Sequence, residues 1–155
     1  MSGAPAQVQE VRRLIGATDA DLGHFVHLRR DSVGCITDVV FTVETWRDAR
    51  GVVRKLRFDD QGLMGTGSRR QDLYRDAQGR PRAVVQFETD GHDVSRPTTG
   101  RPPATGTTEL LINAAGRVIG RVETGQLKAR TPVAWPQVLA DLNPTLLFKR
   151  YTCQR

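Results

Sequence analysis

His24, His27 and His92 are the residues of this 155-residue chain best suited to catalysis or metal binding. His24 and His27 stand three apart and would share one face of a helix. His92, brought in from a loop, would complete a three-nitrogen site of the kind that holds zinc in a small metal-dependent enzyme. The spacing is permissive and not specific, because no HExxH pattern or ordered carboxylate ligand accompanies it. Histidines flanking an apolar segment are ordinarily surface residues.

Other reactive residue types are weaker still. Ser32, Ser68 and Ser95 stand in polar stretches read as loops, and none lies in GxSxG. The run Gly62-Leu63-Met64-Gly65-Thr66-Gly67-Ser68-Arg69-Arg70 has the look of a phosphate cradle, but such a cradle needs a helix N-terminus after it. Strands are predicted on both sides, so it reads as a hairpin loop. Asp59 and Asp60, the one adjacent carboxylate pair, read as turn formers in Asp59-Asp60-Gln61-Gly62. No residue set implies a cofactor or a catalytic role.

The arginines show more order. Lysine and arginine number 23 against 17 acids, a net charge of +6, and Lys55, Lys128 and Lys149 are the only lysines. Arg47 and Arg75 lie four residues before a turn glycine, Arg80 and Arg117 one after, and Arg54 and Arg82 three after. Equivalent positions in successive hairpins project to the same side of a sheet, so these six predict a cationic strip. The alternative is a solvated polar face that keeps the sheet soluble. Guanidinium groups favour planar anions, and the expected partner is an acidic protein. Nucleic acid is disfavoured, because the cations are spread and lack interleaved aromatics.

The element that must position these arginines is a repeated turn: Asp48-Ala49-Arg50-Gly51, Asp76-Ala77-Gln78-Gly79 and Asn113-Ala114-Ala115-Gly116. Asp or Asn accepts from the backbone ahead of it, and Gly supplies the positive-φ position that closes a short hairpin loop. Alternating segments flank each turn. Cys35 to Trp46, Val52 to Phe58, Gln71 to Arg75, Arg82 to Thr89, Thr107 to Ile112 and Val118 to Glu123 read as strands, six or seven in consecutive antiparallel hairpins. Val8, Val11, Leu14 and Ile15 predict a helix over 7–15 stopped by Gly16. Thr18 to Asp21 resembles a capping box opening a helix-then-strand segment over 22–30. Pro136 to Leu142 predicts a second short helix, with Leu146 to Tyr151 returning to the core. The expectation is an α+β single domain over 1–155. It has a six- to seven-strand meander, terminal helices on one face, the other face wet, a flexible start at 1–6 and a mobile Pro/Gly-rich loop at 90–106.

The stretch Tyr74-Arg75-Asp76-Ala77-Gln78-Gly79-Arg80 resembles small secreted or periplasmic bacterial proteins built from repeated Tyr-x-Asp-x-x-Gly-Arg hairpins, over about residues 36 to 123. The Asp-x-x-Gly-Arg core is also similar to the YD-repeat shells of large bacterial toxins. This chain departs from that pattern, with Arg75 and Ile112 where a second tyrosine would stand. The resemblance implies a fold type and an extracytoplasmic compartment, and no activity.

No run of about 18 apolar residues is present, so no membrane-spanning helix is predicted. Residues 1–6 lack the basic and apolar regions of a signal peptide and read either as a cytosolic start or as a mature start after cleavage. Cys35 and Cys153 favour the second reading, since a disulfide stapling the tail to the sheet fits an oxidising compartment. That bridge would close a loop of 118 residues (153 minus 35). The function expected is non-catalytic: an extracytoplasmic accessory, inhibitor or immunity-type domain that engages an acidic protein.

Overall fold

Three near-identical turns dictate the architecture. In a computed structural model, which describes residues 3–33, 40–60, 68–89 and 104–127, Gly51, Gly79 and Gly116 take φ of 82°, 78° and 81°. Each closes a loop in which the glycine N–H donates to the carbonyl of the Asp or Asn three residues before it, at 2.9, 2.9 and 3.0 Å. A register shift precedes every turn, between Trp46 and Arg47, Tyr74 and Arg75, and Leu111 and Ile112. The extra residue in one strand tightens the local twist, which suits a tight hairpin.

The strands are β1 (Val26–Val33), β2 (Val40–Arg47), β3 (Val53–Asp60), β4 (Arg69–Arg75), β5 (Pro81–Thr89), β6 (Thr105–Ile112) and β7 (Val118–Gly125). They form one antiparallel sheet in sequence order, β1 to β7. A single helix, α1 (Ala4–Ala20), precedes them, and a 3-10 turn over Leu22–His24 leads into β1. The fold is thus a seven-strand antiparallel meander with one N-terminal helix.

Both faces of the sheet carry buried residues, where sequence patterning predicts one wet face. Against α1, Val11 packs with Tyr74, Ala83 and Leu111, joined by Val8, Leu14, Ile15, Val85 and Ile119. The opposite face buries Val43, Val53, Leu56, Phe58, Leu73, Val84, Leu110 and Ile112. Consecutive apolar runs such as Leu110-Leu111-Ile112 therefore feed both sides, as they do in strands buried on two faces.

Several local expectations are corrected. The helix begins at Ala4 with Pro5 in its first turn and runs through Gly16 to Ala20, so residues 4–6 are helical and Gly16 is no stop. A mid-helix glycine weakens a helix by about 1 kcal/mol, which a contact beyond Gly16 offsets: Asp19 is bonded to Lys55 in the sheet. Thr18 to Asp21 thus ends a helix and does not cap a new one. Asp59 and Asp60 lie in β3, opposite Arg70 and Arg69 across the ladder, and are not turn residues. Ser32 lies in β1. Thr105 and Gly106, assigned to the long loop, open β6, where Gly106 lies against Leu127 so closely that a Cβ would overlap the Leu127 carbonyl. Residues 90–103, the helix at Pro136 to Leu142, the tail at Leu146 to Tyr151, and Cys35, Cys153 and His92 lie outside the described residues.

Candidate functional site

The turn side chains build an end of the sheet that repeats from hairpin to hairpin. Asp48 Oδ1 accepts from the N–H groups of Arg50 and Val52 at 2.9 and 3.0 Å, and Asp76 Oδ1 accepts from Gln78 and Arg80, both at 3.0 Å. Asn113 Oδ1 does the same for Ala115 and Arg117 at 3.0 and 2.9 Å. Partial burial would raise the Asp48 and Asp76 carboxyls; these N–H donors, with Arg54 and Arg80 respectively, outweigh it and hold both below the usual carboxylate value.

The second carboxylate oxygen recruits an arginine. Arg54 places Nη1 3.5 Å from Asp48 Oδ2 and donates through Nε to the Arg75 carbonyl at 3.3 Å. Arg82 repeats this one hairpin later, with Nη1 3.5 Å from Asp76 Oδ2 and Nε donating to the Ile112 carbonyl at 3.1 Å. It also reaches Glu10 on α1 at 2.9 Å. Each clasp ties one hairpin to the last residue of the strand that opens the next. In the third unit the equivalent position is Ile119, and no eighth strand follows β7 among the described residues.

The six arginines singled out by spacing therefore divide. Arg54 and Arg82 are clasps, and Arg80 pairs with Asp76 at 2.8 Å. Arg117 is exposed. Arg47 donates to the Gly51 carbonyl at 3.1 Å. Arg75 is half-buried, and its buried Nε has no hydrogen-bond partner. Burial, and then the charge of Arg47, lower the Arg75 pKa, the mark of a guanidinium crowded by its own kind. Arg47, Arg75 and Arg117 have no carboxylate partner among the described residues. All stand at the end of the sheet where the three turns lie, in hairpins spaced about 10 Å apart, twice the strand spacing.

A second cluster joins the end of α1 to β2, β3 and β4, and spacing alone does not single it out. Lys55 is only 3% exposed. Its Nζ donates to Asp19 Oδ1 at 2.7 Å and lies 3.6 Å from Asp72 Oδ2. It also stands over the rings of Tyr74 and Trp46 at 4.7 and 5.7 Å. Arg57 clamps Asp72 with two bonds of 2.7 and 2.9 Å, which raises its own pKa further. Tyr74 donates its hydroxyl to both oxygens of Asp19, at 3.2 and 3.1 Å. Burial, then the charges of Asp72 and Asp19, push its pKa far up, so it stays a neutral donor. Two cations face two carboxylates, and the arrangement anchors the helix end. The signal available in the sequence is Lys55 in phase with Arg57, but the alternation puts both on the face expected to be wet; Tyr74 and Asp72 come opposite Lys55 and Arg57 only once β3 and β4 pair.

The histidines do not share a helical face. His24 closes the 3-10 turn, whereas His27 lies in β1, stacked on Trp46 at a centroid separation of 4.6 Å and bonded to Glu44 at 2.9 Å. No group of three or more potential metal ligands occurs among the described residues. Ser68 Oγ meets Thr89 Oγ1 at 2.6 Å, closing the mouth of the β4–β5 hairpin. No described helix is long and apolar enough to cross a membrane. Chain and fold define a β-meander with a repeated Asp/Asn-x-x-Gly turn; no protein-family model, curated protein or solved structure matches it.

Proposed function

We propose that this is a non-catalytic binding domain, of accessory, inhibitor or immunity type, that works outside the cytoplasm and engages an acidic protein through the turn end of its sheet. The observation that carries the reading is Arg75. A half-buried guanidinium with an unpartnered Nε and a second arginine beside it is unfavourable in the free protein, and an incoming carboxylate would relieve it. Arg47 and Arg117 extend the same rim, so a partner presenting carboxylates about 10 Å apart meets one per hairpin. The compartment rests on a Cys35–Cys153 bridge, which non-reducing mass spectrometry of protein exported to the periplasm tests: free thiols at both positions remove that support.

The binding test uses a polyglutamate peptide as probe. Arg54 and Arg82 are unsuitable targets for charge reversal because they hold the fold, so Arg47→Glu with Arg117→Glu is the informative variant. It should bind at least about tenfold more weakly than the wild type, with a shallower salt dependence. Equal binding by both proteins, or tighter binding of duplex DNA than of polyglutamate, would overturn the reading.

A further inference from the structure

We infer that β7 is a self-complementary edge through which two copies of this chain join into one continuous antiparallel sheet. Among the described residues the sheet order leaves β7 with no neighbour beyond it. Residues 121–125 are exposed, and Val122, 38% exposed, is a large apolar residue on that edge. An edge of unpaired N–H and C=O groups is a template for another strand unless charge or shape blocks it.

The phase of the ladder fixes which groups are on offer. The Gln126 N–H donates to the Thr105 carbonyl, and bonded pairs alternate along an antiparallel ladder. Thr124, Val122 and Gly120, opposite Thr107, Glu109 and Leu111, therefore bond inward to β6, and Arg121 and Glu123 present their backbone groups outward. Two β7 strands related by a twofold axis can bond only by matching such outward residues. Placing Arg121 opposite Arg121, or Glu123 opposite Glu123, sets like charges face to face, which is destabilising. Shifting by one step places Arg121 opposite Glu123 twice and Val122 opposite Val122 between them. In that register both charge pairs attract, the two valines meet at the close non-bonded spacing, and the contact is isologous and closes on itself. Within one chain Arg121 and Glu123 already bond to each other at 3.0 Å through Nε, so both side chains lie on one face and are poised for exchange.

Sedimentation velocity of the full chain over roughly 1–100 μM, the range in which small interfaces assemble, should show mass rising toward twice 17.2 kDa. Arg121→Glu turns both pairs repulsive and should weaken association at least about tenfold. The swap Arg121→Glu with Glu123→Arg restores attraction and should recover wild-type association. Both variants alter exposed side chains and should keep the wild-type melting temperature. The amides of Arg121 and Glu123 should exchange more slowly as concentration rises. A chain that stays monomeric throughout, a dimer indifferent to Arg121→Glu, or one abolished instead by Leu28→Lys in β1 would each overturn the inference.

Discussion

Asp48, Asp76 and Asn113 perform one task with different charge, and the difference tracks what lies across from them. The two aspartates each face a clasp arginine, Arg54 or Arg82, whereas Asn113 belongs to the unit with Ile119 in that place. Asp76→Asn should therefore keep the turn and lose the ion pair. Asp76→Ala should lose both, with a destabilisation of about 2 kcal/mol in urea unfolding. Because the folded Asp76 pKa lies below its ordinary 3.8, its contribution is complete above that value and is lost as pH falls through the folded one. Unfolding midpoints measured between about pH 2 and 6 should fall more steeply on the acid side for the wild type than for Asp76→Asn. Arg75 should behave in the opposite sense to most buried residues. Arg75→Met removes an unpartnered guanidinium and should raise stability by about 1 kcal/mol while weakening capture of the polyglutamate probe. Lys55→Met removes the cation between Asp19 and Asp72, leaving Asp72 to Arg57 and Asp19 to the Tyr74 hydroxyl, and should destabilise by about 2 kcal/mol, less than breaking a fully buried pair because Asp19 is 43% exposed.

At the scale of elements, the hairpins were legible because turn chemistry is local. Asp-x-x-Gly or Asn-x-x-Gly needs nothing from the rest of the chain, and all three turns stand where the spelling puts them. The clasps were half legible: the arginine register was visible, but its targets, the Arg75 and Ile112 carbonyls, belong to the next hairpin and exist only once strands pair. The Lys55 cluster was not legible, since a lysine alternating with apolar residues spells a wet face. It is buried here by α1, which starts some 50 residues earlier. The overrun of α1 past Gly16 has the same cause, a tertiary anchor at Asp19 overriding a local stop. Two-sided burial is testable: Leu111→Ala on the helix side and Leu73→Ala on the other should each cost about 3 kcal/mol in urea unfolding. A one-sided core would make one of the two nearly silent.

At the scale of the molecule, the sheet is assembled from neighbours in sequence while its helix is not. Every strand pairs with the one just made, so pairing proceeds without waiting for distant chain. The helix is the exception. Its apolar residues Val8, Val11, Leu14 and Ile15 pack against Tyr74, Ala83, Leu111 and Ile119, so the surface that receives it is completed only when β7 has formed. On a ribosome adding roughly 5–20 residues per second, α1 is made on the order of 5–20 s before its docking site is complete. Throughout that interval an amphipathic helix stands with its greasy stripe uncovered beside a growing sheet. The order of synthesis thus leaves α1 open to a chaperone for as long as the sheet that covers it is unfinished.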